Sequence, residues 1–141
     1  MFDIIDISQY IIFIANKLNM NISVLQLEFI LYVLDKKYKG DLFPENIFIN
    51  EEWLYIPEVR KTYRMYIQED MYIPIIYEPI KYRFRNGYWD EWKTKGISDE
   101  LKKEIEVYMN KIKGVTIGNM LNYLNKDKVF DNAIPGLIKK I

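Results

Sequence analysis

Apolar residues crowd the stretch 23–38. Leu27, Ile30, Leu31, Leu34 and Tyr38 recur with the spacing of one helical face, and Ser23 stands where an N-cap belongs. Val24, Leu25, Phe29, Tyr32 and Val33 widen that face until little polar surface remains before Asp35. A helix apolar on nearly every side must be wrapped by the rest of the chain, so this segment is expected at the centre of the fold. Lys36, Lys37 and Lys39 suit the negative end of its dipole, and Gly40 supplies a left-handed C′ position.

Upstream, the pattern predicts a first helix capped by Asp6 or Ser8 and running to about Leu18, with Tyr10, Ile11, Ile14 and Leu18 on one side. The short polar link that follows should pack Ile14 and Leu18 against Leu27 and Leu31. Ile47 and Ile49 alternate with Phe48 as in a short strand or an irregular connection. Pro57 and Glu58 open a third helix, in which Val59, Tyr63, Tyr66 and Ile67 face inward and Arg60, Lys61 and Arg64 face out. Ser98-Asp99-Glu100-Leu101 opens a fourth, running to about Lys113 with Leu101, Ile105, Tyr108, Met109 and Ile112 as its stripe, and Gly114 stops it. Thr116 caps a fifth over 117–124 carrying Met120, Leu121 and Leu124, and Pro135 and Gly136 loosen the tail.

Residues 70–95 break the helical period. Pro74 and Pro79 interrupt an apolar run, and Asn86-Gly87 predicts a two-residue hairpin turn. Its strands would set Tyr82, Phe84 and Trp89 on one face and Arg83, Arg85, Tyr88, Asp90 and Trp92 on the other. The expected fold is mainly α (α+β): a single domain over residues 1–141, with about five helices and a small β-hairpin near residues 81–92. A chain of this length buries about 68% of the surface its unfolded form exposes, enough for one core.

Composition narrows the chemistry. Twenty basic and twenty acidic residues cancel, so no net field draws the chain towards nucleic acid or anionic lipid. Histidine and cysteine are both absent, which excludes disulfides, thiolate nucleophiles, imidazole catalysis and the usual zinc ligand sets. Ser8, Ser23 and Ser98 are each explained as helix caps, and acid pairs such as Glu51-Glu52, Glu69-Asp70 and Asp90-Glu91 are the pattern of solvated loops. No enzyme activity, cofactor or metal is expected. The apolar runs are too short to span a bilayer and no basic-then-apolar leader precedes Asp3 and Asp6, so a cytoplasmic chain is expected.

Twelve Tyr, seven Phe and three Trp exceed what one small core needs, although the abundance of Ile, Lys and Asn fits an AT-rich coding sequence that inflates Ile and Tyr. Aromatic residues with Arg are the types enriched in protein-interface hot spots, and Arg64, Tyr66, Arg85, Tyr88 and Trp92 are the candidate partner-binding residues. A nucleic-acid-binding regulator would draw on Arg60, Lys61, Arg64, Lys81, Arg83 and Arg85 interleaved with Tyr63, Tyr66, Tyr82 and Tyr88, but acids nearby dilute that set. A small enzyme using carboxylates and tyrosines is the remaining class.

Leu27-Glu28-Phe29-Ile30-Leu31-Tyr32 resembles the Leu-x-Lys-Leu-Leu-Tyr helix of the Panacea (SocA-like) antitoxin domain family. Trp53, Pro57 and Tyr63 keep the spacing of that family's Trp, Pro and Tyr, while Ile56 and Glu58 replace its Gly and Val. Residues 124–133 follow its closing segment in layout, without the His. The resemblance implies an antitoxin that neutralises a toxin by direct binding, with some relatives presenting their toxin to a protease. A phage or mobile-element inhibitor of a host defence protein, such as an anti-CRISPR, would share the scaffold. Oligomeric state stays open.

Overall fold

The structure is a computed structural model and describes residues 1–70, 73–81 and 96–141. Helix α1 (Ile4–Lys17) starts earlier than a cap at Asp6 or Ser8 implies. Asp3 is the N-cap: its backbone is extended, and its Oδ1 accepts from the N–H groups of Ile5 at 2.8 Å and Asp6 at 3.1 Å. Asp6 instead takes the first turn, where a carboxylate suits the dipole, and the buried Ser8 hydroxyl donates to the Ile4 carbonyl at 2.7 Å. Helix α2 (Val24–Lys37) begins as expected after Ser23, whose N–H donates to the Gln26 side chain at 2.8 Å, one half of a capping box. At its C-terminus Lys39 and Gly40 both have positive φ, and the Gly40 N–H closes on the Asp35 carbonyl at 3.0 Å.

Val24, Leu27, Ile30, Leu31 and Leu34 of α2 are shut off from solvent at the centre of one hydrophobic cluster. Helix α1 packs on α2 with Ile14 buried and Leu18 partly so. Helix α4 (Asp99–Lys111) is capped by the Ser98 hydroxyl and lies against α1, burying Leu101, Ile105, Tyr108 and Met109. Helix α5 (Ile117–Lys126) is capped by Thr116 and packs on α2 through Met120 and Leu124. Leu121, expected inside, is 37% exposed. It follows Met120 by one residue and so is rotated about 100° from it around the helix.

The connection after α2 is a short strand pair, β1 (Phe48–Ile49) antiparallel to β2 (Leu54–Tyr55). Asn50 shapes the turn between them by accepting from the N–H groups of Glu52 and Trp53, each at 2.8 Å. Helix α3 (Pro57–Thr62) has Pro57 at its first position, where the missing N–H costs nothing. It ends one turn before Ile67. A 3-10 turn (Arg64–Tyr66) leads into β3 (Ile67–Asp70), which pairs with β4 (Ile73–Tyr77), and the Glu78 N–H seals the junction on the Tyr66 carbonyl at 2.8 Å. The expected inward set Val59, Tyr63, Tyr66 and Ile67 thus spans three kinds of backbone. Pro74, which has no N–H to donate, falls within β4, whose partner among the described residues is β3. The tail, expected to be loose, returns as β5 (Lys139–Lys140) on the free side of β1. The architecture is mainly helical α+β, and among the described residues its small sheets are β2-β1-β5 and β3-β4. The hairpin expected around Asn86-Gly87 lies outside the described residues. Among the described residues no helix is long and apolar enough to cross a membrane.

Candidate functional site

One acid sits in the apolar interior. Glu28 points inward from α2 with no exposed surface, and burying a carboxylate is tolerable only when it is paired and hydrogen-bonded. Arg60 of α3 supplies the pair in a two-pronged grip: Nε to Glu28 Oε2 and Nη2 to Glu28 Oε1, both at 3.0 Å. The Ile56 N–H also donates to Oε2 at 2.7 Å. The guanidinium donates further to the Leu54 carbonyl at 3.1 Å and lies 4.5 Å from the centre of the Tyr55 ring and 5.7 Å from that of Tyr77. One side chain thereby ties α2, β2, α3 and β4 together. Lysine, a point donor without the planar fork, could not make this set of contacts.

Burial pushes the Glu28 carboxyl up to about 7, against the pull of Arg60 and of the Ile56 N–H. Burial works against the charge on Arg60 as well, but the hydrogen bonds and attraction of Glu28 carry its pKa above the ordinary arginine value. Arg60, expected to face out with Lys61 and Arg64, is therefore a fastening of the fold. Its side chain is only 13% exposed.

Over this fastening runs a groove of about 500 Å³, lined by Tyr55, Pro57, Arg60, Lys61, Arg64, Ile67 and Glu69. Lys61 and Arg64 are exposed on it, and neither forms an ion pair with a described residue. Of the five expected partner-binding residues, Arg64 lines the groove. Tyr66 stands beside it as a strut, half-buried against the core, with its hydroxyl donating to the Lys81 carbonyl at 3.3 Å. Arg85, Tyr88 and Trp92 lie outside the described residues. Exposed apolar groups missed by the helical reading occur nearby in the chain: Met65 is 66% exposed, and Ile75 and Ile76, which point to opposite faces of β4, are close to half exposed. Their exposure follows from the ribbon, which the helical period of 59–67 did not announce.

The residues that carry the family resemblance are mostly interior. Leu27, Ile30, Leu31, Trp53 and Tyr63 are buried, and the Trp53 indole N–H donates to the Leu25 carbonyl at 2.9 Å. Tyr32 is half-buried and its hydroxyl donates to Asp127 at 3.1 Å, while Pro57 is exposed on the groove.

A second, apolar pocket of about 290 Å³ opens between α2, α4 and α5, with Phe29, Val33, Tyr108, Ile112, Met120 and Tyr123 as its walls and Lys37 and Lys111 at its margin. The Lys37 ammonium sits 5.0 Å from the centre of the Tyr108 ring. Among the described residues no group of three or more His, Cys, Asp or Glu side chains is placed to hold a metal ion. Comparison with protein-family models, with curated proteins and with solved structures gave no match.

Proposed function

We propose that the chain is a non-enzymatic protein-binding module that neutralises a partner by direct contact, in the manner of the Panacea antitoxins it resembles. The observation that carries this reading is the face at which Lys61 and Arg64 flank the groove, on backbone fastened from beneath by Glu28 and Arg60. Such a face binds with little loss of freedom because its scaffold is already ordered, and Arg64 and the exposed Met65 next to it in the chain are residue types enriched at protein interfaces. A nucleic-acid surface is less well supplied, since Arg60, one of its candidate cations, is spent on Glu28.

The test is calorimetric titration of a toxin or defence protein captured with the chain, against wild type and Arg64→Ala. The variant should bind more weakly by over about 1 kcal/mol, with its thermal midpoint nearly unchanged. Equal affinity, or capture of nucleic acid without protein, would overturn the proposal. The identity of the captured protein would separate an antitoxin from an inhibitor of a host defence protein.

A further inference from the structure

The groove also has a charge pattern, and that pattern selects the chemistry of its occupant. The Arg60 guanidinium is engaged by Glu28 and the Leu54 carbonyl, so the groups left to meet an occupant stand at the margin of the groove. There Lys61 and Arg64 stand three positions apart across the junction of α3 and the 3-10 turn, both exposed and unpaired, and Glu69 is the one acid in the lining, among the described residues. Between them the surface is apolar or aromatic: Tyr55, whose ring is held by the Arg60 guanidinium, Pro57 and Ile67. Arg64 offers a fork that accepts a carboxylate at two points, and Lys61 offers a compact charge beside it.

Resting on the reading that the chain acts by contact, we infer that this groove seats an acidic segment of the partner protein. Its carboxylates are taken by Lys61 and Arg64, and an apolar side chain between them lies against Tyr55 and Ile67. A nucleic acid fits less well. Its phosphates recur at fixed intervals and its binding depends on neutralising many of them, whereas among the described residues this face offers two free cations and sets Glu69 and the neighbouring exposed Glu58 against the backbone.

The experiment is fluorescence anisotropy of the whole chain at low salt with three labelled probes: a short peptide of alternating Glu and Leu, its Gln-for-Glu counterpart, and an oligothymidine. The acidic peptide should bind at least about 10-fold tighter than the Gln peptide. Lys61→Glu and Arg64→Glu should each weaken it by about 5-fold or more, and Lys126→Glu, on the far side of α2, should not. Both groove side chains are exposed, so unchanged circular dichroism melts are expected to accompany the loss. Equal binding of the Gln peptide, indifference to both reversals, or preference for the oligothymidine would overturn the inference. A captured protein partner that depends on Arg64 but is not displaced by the acidic peptide would overturn the acidic seat and leave the contact reading standing. Acidic peptide bound through Arg64, with every captured protein indifferent to Arg64, would overturn the contact reading and leave the seat.

Discussion

Helix α2 carries two ion pairs, one from its first half and one from its last turn, and they are built on opposite terms. Glu28 and Arg60 have side-chain exposures of 0% and 13%, and the carboxylate receives three hydrogen bonds. Lys36 and Asp127 have exposures of 51% and 24%; the Tyr32 hydroxyl is the other group bonded to the same Asp127 oxygen. Coulomb attraction is common to both. In the first the ions have lost water and depend on each other, so the pair dictates where β2 and α3 lie against α2; in the second, water can replace either partner. This difference makes the face proposed for partner contact the firmly fastened one and leaves the α2–α5 end to apolar packing.

The largest effect should come from splitting the inner pair. Arg60→Ala leaves the Glu28 carboxylate buried without its counter-ion and should cost about 3–5 kcal/mol in urea unfolding. Loss of less than about 1 kcal/mol would show that water reaches Glu28 freely. Next is a scale for the surrounding packing: Leu31→Ala, at a site with no exposed surface, should cost about 2–5 kcal/mol, and Leu27→Ala a similar amount. Losses within the surface range at both positions would remove α2 from the centre of the fold.

The two carboxyls should also titrate with opposite sign. Glu28 has a raised pKa, so between its ordinary value near 4.5 and about 7 the folded chain holds more protons than the unfolded one. Its stabilising contribution is complete below that window and is lost as pH rises through it. Hydrogen bonding to Lys36 lowers the pKa of Asp127, whose contribution is present above its ordinary value of 3.8 and is lost as pH falls through the folded value. Unfolding free energies against pH for wild type, Glu28→Gln and Asp127→Asn should isolate one slope each. A wild-type profile unchanged by Glu28→Gln between pH 5 and pH 7 would contradict the assignment. Smallest of all, Lys36→Ala should cost no more than about 1 kcal/mol and less in high salt.

The sequence announced what depends on neighbours along the chain. Ser23, Pro57, Ser98 and Thr116 mark helix starts because a cap or a first-turn proline acts within a few residues, and α2 is legible from its apolar density alone. The start of α1 was misplaced because Asp3, Asp6 and Ser8 all have cap chemistry and the choice falls to the backbone bend at Asp3. In the third helix the inward set 59, 63, 66 and 67 matches a helical period, yet pairing with β4, settled by a distant strand, turns Ile67 into β3. Glu28 did leave a signal, an acid on the same face as Val24 and Leu31. Its partner lies 32 residues on, and nothing local distinguishes Arg60 from Lys61 or Arg64. The basic and aromatic composition of the proposed face was therefore readable, and the fastening role that separates Arg60 from Lys61 and Arg64 was not.

The most direct test of the central claim is amide hydrogen exchange on the chain alone and in complex with a protein captured by it. The account predicts that new protection gathers over residues 57–69, where Lys61 and Arg64 flank the groove, while the end of α2 and the last turn of α5 around Lys36 and Asp127 exchange as in the free chain. Protection that instead appears around Lys36 and Asp127, with residues 57–69 unchanged, would contradict it.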